Sequence, residues 1–148
     1  MRIGILESDN FSKEALVLLN KIGTVYFFDQ HISSLTDFIS DKEIIFLRLK
    51  YYLSKDILEK SVNLKYICSP TTGLNHIDKN YCLKKNISII SLRNESDFLK
   101  DIRATSEHTL GLIIALIRNY PKIIGGYNKD LDRNNFLGNE LYKNKVGI

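Results

Sequence analysis

The sequence has no tryptophan, one methionine, two prolines, two cysteines and three histidines. Two cysteines cannot build a disulfide framework, and neither Cys68 nor Cys82 stands in a paired spacing with histidines. No structural disulfide and no metal site is therefore expected. Cys68 sits in an apolar run and reads as a small buried hydrophobe. Long apolar runs are also missing. The longest candidate, residues 110–117, is far shorter than the roughly 20 residues a membrane span requires. The chain begins directly with a strand pattern, without a targeting peptide. A cytoplasmic protein with no membrane partner is expected. Blocks of one charge are absent: the net charge of +4 is spread along the chain, and its densest point is Lys84-Lys85. The excess reads as solvated surface, not as a nucleic-acid site. There is no repeat, no low-complexity tract, no spaced-glycine dinucleotide fingerprint and no Ser/His/Asp arrangement.

What is present suits a packed domain. Hydrophobic residues make up 44% and charged residues 26% of 148 positions, which is ordinary for a chain that buries a core. Short apolar or β-branched runs alternate with helical spacing. Strands are expected at residues 2–6, 24–28, 43–47, 66–69 and 87–91. Helices are expected between them. One opens at Ser12 and stops at Gly23, one opens at Ser33 or Ser34, and two cover residues 56–60 and 79–84. The alternation implies an α/β fold with a parallel five-stranded sheet and right-handed crossovers.

Ser69-Pro70-Thr71-Thr72-Gly73-Leu74-Asn75-His76-Ile77-Asp78 is the turn between the fourth strand and its helix. Pro70 and Gly73 are breakers, and Asp78 is an N-cap candidate. In a parallel sheet such turns lie where ligands bind. The successive small residues Thr71, Thr72 and Gly73 would leave N–H groups open to a carboxylate or phosphate. An ordinary βα loop that only caps its helix has the same pattern. Other strand ends supply Glu7, Asp9, Arg48, Lys50 and Arg93. Arg48 suits a carboxylate, which it can hold through two parallel hydrogen bonds. A surface ion pair with a nearby acid would also account for it.

His31 is expected to be exposed. His76 could orient the turn or cap the next helix. His108, beside Glu107, reads as structural. A receiver-type domain would need an aspartate where Arg48 stands. A flavodoxin's phosphate loop would not be acidic like Glu7-Ser8-Asp9-Asn10.

Residues 99–119 read as one long helix, apolar on most sides from Leu110 to Ile117 and ended by Pro121. Such a helix is expected to lie against a second domain, a second subunit, or both. Gly125-Gly126 allows a change of direction. Lys145-Val146-Gly147-Ile148 reads as the start of a further strand, so more chain is expected to follow.

These segments together resemble the N-terminal part of the D-isomer-specific 2-hydroxyacid dehydrogenases, the group that includes D-3-phosphoglycerate dehydrogenase. Thr72-Gly73-Leu74-Asn75-His76-Ile77-Asp78 is similar to the family's glycine loop. Phe46-Leu47-Arg48 is similar to its Val-Arg segment. Ala104-Thr105-Ser106-Glu107-His108-Thr109-Leu110, followed by Arg118, resembles its interdomain helix. Phe136-Leu137-Gly138-Asn139-Glu140-Leu141 and Lys145-Val146-Gly147-Ile148 resemble the run that leads into its nucleotide fold. Asn75 replaces the usual Asp, and Leu131 stands where Trp is common.

The resemblance implies a flavodoxin-like substrate domain at residues 1–97. Residues 98–148 would then hold the interdomain helices and the first strand of a Rossmann domain. It implies substrate-carboxylate binding at Thr72 and Gly73, with Arg48 lining the cleft, and cofactor contacts at Thr72 and Thr105. It implies NAD or NADP as cofactor, a 2-hydroxy or 2-oxo acid as substrate, and a homodimer through the 99–119 helix. The family's phosphate-binding glycines and its catalytic arginine, glutamate and histidine have no counterparts in this chain. No catalytic residue is therefore assigned, and the chain alone is expected to be inactive. The rival expectation is a non-enzymatic α/β module that binds an anion or drives assembly.

Overall fold

The computed structural model describes residues 1–125 and 133–147. The chain divides into two compact units, Met1–Ser96 and Asp97–Ile148.

The first unit is a five-stranded parallel sheet. Its strands are β1 (Arg2–Ile5), β2 (Thr24–Phe27), β3 (Ile44–Phe46), β4 (Tyr66–Ser69) and β5 (Ser88–Ser91). Their order is β2-β1-β3-β4-β5. Helices α1 (Lys13–Ile22), α2 (Leu35–Ile39), α3 (Lys55–Leu58) and α4 (Lys79–Lys84) connect them. The expected strands and helices are therefore present, with ends that move by a residue or two.

Side chains alternate across the sheet. Ile45 and Ile67 point into the larger core with Ile39 of α2, Leu58 of α3 and Cys82 of α4. Ile44 joins Ile3, Ile5 and Leu19 of α1 on the opposite face, with Phe46 and Cys68 packed against them. Parallel strands buried on both faces need such continuous apolar runs.

Helix starts follow the sequence signals. Ser12 Oγ accepts the Ala15 N–H at 3.1 Å, and Ser34 Oγ accepts the Asp37 N–H at 3.1 Å. Asp78 Oδ1 accepts the Tyr81 N–H at 2.9 Å, so the residue before α4 is a true N-cap. Gly23 ends α1 for a reason the sequence did not suggest. Its backbone is extended, not left-handed. A Cβ there would lie 2.2 Å from the Met1 carbonyl oxygen, so close approach is what demands glycine.

The second unit differs from the single long helix expected. A short helix, α5 (Ser96–Leu99), begins at the last residue of the first unit, and α6 (Ala104–Ile117) follows after a break. Helix α6 stops at Asn119, which adopts the left-handed conformation at φ 55°, a common helix terminator. Pro121 does not end α6. It sits in the first turn of α7 (Tyr120–Gly125), where its missing N–H costs nothing.

A 3₁₀ turn, Arg133–Phe136, follows. Asn139 N–H then donates to the Ile117 carbonyl at 2.7 Å and closes the unit onto the end of α6. Residues 145–147 form no ladder with another strand, and a strand needs a partner to persist. Gly126, Leu131 and Ile148 lie outside the described residues. No helix among the described residues is long and apolar enough to cross a membrane.

Candidate functional site

Strand order reverses between β1 and β3, and open parallel sheets bind ligands at the carboxyl side of that reversal. Glu7 follows β1 there, and Arg48 follows β3. Glu7 Oε1 accepts the N–H groups of Arg48 at 2.7 Å and Lys50 at 3.2 Å. Glu7 Oε2 lies 3.3 Å from Arg48 Nε. Arg48 Nη2 donates to the Asp9 carbonyl at 3.0 Å. The side chain of Glu7 is only 10% exposed, that of Arg48 44%. So Arg48 does make the ion pair that its sequence position allowed. One of its five side-chain N–H groups makes a hydrogen bond among the described residues, and the ion pair with Glu7 occupies the Nε side. Glu7, which the sequence presents only as an acidic loop residue, is the anchor of this cation.

The glycine loop follows β4, next to β3. Its N–H groups at Thr72, Gly73 and Leu74 make no hydrogen bond among the described residues. Thr72 and Gly73 are exposed. Gly73 has no positive φ, and a Cβ placed there would meet nothing within 4 Å. Neither strain nor packing demands glycine at this position, which leaves room for a ligand beside the backbone.

Behind the loop Thr71 Oγ1 donates to the Gly73 carbonyl at 2.8 Å. Ser69 Oγ lies 2.9 Å from Thr71 Oγ1 and 3.2 Å from His76 Nε2. Burial lowers the His76 pKa below its ordinary 6.5, while the Glu7 charge acts in the opposite direction. His76 thus faces the loop, and Asp78 does the helix capping.

The loops after β3 and β4 are joined by a parallel bridge between Leu53 and Ile77. Leu53 N–H donates to the His76 carbonyl at 2.8 Å, and Asp78 N–H donates to the Leu53 carbonyl at 3.0 Å. This ties the segment that follows Arg48 to the segment that follows Gly73.

A largely apolar cavity of about 400 Å³ lies on the α1 face, lined by Phe46, Cys68, Ile90 and Leu92 with Glu7, Arg48 and Ser69. A polar cavity of about 500 Å³ near β2 also includes Glu7 and Arg48, with Lys50 and His31. Arg48 lines both; Thr72 and Gly73 line neither.

Thr105 belongs to the second unit, in the first turn of α6, and is exposed; its carbonyl accepts the Thr109 hydroxyl at 2.8 Å. His108, Glu107, His31 and Arg93 are exposed. Cys68 is half-buried and Cys82 buried, both are free thiols, and burial pushes each pKa up to about 11. Among the described residues no cluster of three or more His, Cys, Asp or Glu side chains could hold a metal ion.

An open five-stranded parallel sheet with helices between its strands defines an α/β domain, with Arg48 and the glycine loop at the carboxyl ends of neighbouring strands. Residues 5–133 match the model of the D-isomer specific 2-hydroxyacid dehydrogenase catalytic domain, and the chain belongs to that family.

The chain is 26% identical over 152 residues to the D-3-phosphoglycerate dehydrogenase of Methanocaldococcus jannaschii, covering 99% of this chain and 27% of that protein. It is 23% identical over 145 residues to the Bacillus subtilis D-3-phosphoglycerate dehydrogenase, covering 97% of this chain and 27% of that protein. The chain thus spans about a quarter of the length of these relatives. Among solved structures, the Aquifex aeolicus D-lactate dehydrogenase complexed with NAD and lactic acid superposes with a TM-score of 0.69 at 20% identity. It covers 95% of this chain and 41% of that one. That likeness supports the fold.

Proposed function

We propose that this chain is the substrate-binding portion of a cytoplasmic NAD(P)-dependent D-2-hydroxyacid dehydrogenase, which interconverts a 2-hydroxy acid and a 2-oxo acid. The observation that carries the reading is the run of unpaired N–H groups at Thr72 and Gly73, on the loop that follows β4, the strand paired with the β3 that Arg48 follows. A substrate carboxylate would accept from both amides, and backbone donors cost no side-chain entropy. Arg48, fixed by Glu7, would add a charge-assisted bond or set the local field. Titration with pyruvate, followed by amide chemical shifts, tests this: shifts at Thr72 and Gly73 support it.

No glycine-rich phosphate loop is present in the chain; the cofactor contacts of this reading are Thr72 and, separately, Thr105. A nicotinamide would supply the hydride when bound. The residues of this chain bind and orient the acid; they include no assigned proton donor. The chain alone is expected to show no NADH oxidation with 2-oxo acids above a buffer blank.

The α6 helix supports a homodimer. It carries no buried residue, and Leu110, Leu112 and Leu116 are 52%, 52% and 67% exposed. A helix apolar on most sides needs a partner surface. A chain that dimerises without responding to 2-oxo acids would instead be an assembly module.

A further inference from the structure

The loop that presents Thr72 and Gly73 is backed by hydrogen bonds that can run in one direction only. Thr71 Oγ1 donates to the Gly73 carbonyl. A hydroxyl has a single proton, so in the pair between Ser69 and Thr71 the donor is Ser69. Ser69 has then used its own proton, and in its contact with His76 Nε2 it accepts. His76 must carry a proton on Nε2. The relay runs from His76 Nε2–H to Ser69 Oγ–H, to Thr71 Oγ1–H, to the Gly73 carbonyl. Ser69 is 2% exposed and His76 8%, so water does not compete at its start, and bonds in a low-dielectric chain reinforce one another.

The Gly73 carbonyl shares a planar peptide unit with the Leu74 N–H, which points the opposite way. Fixing the carbonyl fixes that plane and restricts the amides beside it. The Thr72, Gly73 and Leu74 N–H groups have no hydrogen bond among the described residues, and neither do those of Thr71, Asn75 and His76 in the same loop. We propose that His76, Ser69 and Thr71 set the direction of the Thr72, Gly73 and Leu74 N–H groups. His76 is then a positioning residue of the carboxylate site, and Leu74 N–H is a third donor beside Thr72 and Gly73. This rests on the carboxylate-binding reading given above, but the two are tested separately.

Two measurements on the chain decide it. Long-range ¹H–¹⁵N correlation at neutral pH reports which ring nitrogen of His76 is protonated. A protonated Nε2 is expected; a bare Nε2 overturns the relay. Pyruvate is then titrated into Thr71→Val, Thr71→Ser and His76→Leu, with unchanged amide shifts outside the loop as the folding control. Thr71→Val and His76→Leu should weaken binding about five- to tenfold, while Thr71→Ser returns it to within about twofold. Equal affinities for Thr71→Val and Thr71→Ser overturn the proposal. If pyruvate does not bind the unaltered chain, the carboxylate reading fails. The relay is then judged by the ligand-free Gly73 and Leu74 amide shifts, which must move in Thr71→Val and return in Thr71→Ser.

Discussion

Glu7 holds Arg48 at two points: its Oε1 accepts the Arg48 backbone N–H at 2.7 Å, and its Oε2 lies 3.3 Å from the Arg48 Nε. The two residues come from the ends of adjacent strands and meet where strand order reverses. One carboxylate thus fixes both the backbone and the head group of this cation.

Replacing Glu7 with alanine removes the acceptor for the Arg48 and Lys50 N–H groups and leaves the guanidinium half-free. Because Arg48 is partly solvated, water recovers some of the loss. A destabilisation of about 1–2 kcal/mol is expected from urea denaturation. Glu7→Gln keeps an acceptor and should lose less. Equal stability of Glu7→Ala and the unaltered chain would remove Glu7 from its anchoring role.

Gly73 separates fold from function. Its backbone φ is not positive, and a Cβ would meet nothing within 4 Å. Gly73→Ala should therefore fold with stability within about 0.5 kcal/mol of the unaltered chain, as surface substitutions do. It should nevertheless lose pyruvate binding, because the methyl group occupies the space beside the donor amides. Thermal unfolding and titration of the same sample check both halves.

The lowered pKa of His76 has a signed consequence for stability. Burial, its largest cause, favours the neutral ring in the folded state. The unfolded chain therefore binds the proton more tightly. The His76 contribution is complete above its ordinary pKa of 6.5 and is lost as pH falls below that value toward the lower folded pKa. Urea midpoints measured across this window should drop in the unaltered chain. The drop should shrink in His76→Gln, which does not titrate. A parallel pH profile for the two proteins would contradict the assignment.

Much of the first unit was legible because local signals agreed with one another. Helix α4 follows from Asp78 and from the apolar spacing behind it, and its observed bounds are those expected. The glycine loop is equally local. The roles of Glu7 and Ser69 were hidden because they depend on side chains brought together across strands or across a turn. The acidity of Glu7-Ser8-Asp9-Asn10 signalled only that phosphate would be repelled. His76 was correctly linked to the turn, but its partner hydroxyls were not evident from spacing. In the second unit the proline at position 121 attracted the helix end, whereas Asn119, a residue that tolerates left-handed φ, provides it.

The exposed face of α6 gives a test of assembly. Leu112→Glu together with Leu116→Glu places charge on an exposed apolar part of α6, which has no buried residue. Sedimentation should show a dimer for the unaltered chain and a monomer for the double variant. Two monomers would contradict the homodimer.

The most direct measurement is a pyruvate titration of the ¹⁵N-labelled chain, with acetate as the control for a carboxylate lacking the 2-oxo group. Saturable shifts at Thr72 and Gly73, weaker with acetate and reduced in Arg48→Met, are the predicted result. A chain whose loop amides stay unmoved at the highest pyruvate concentration would contradict the substrate-binding account.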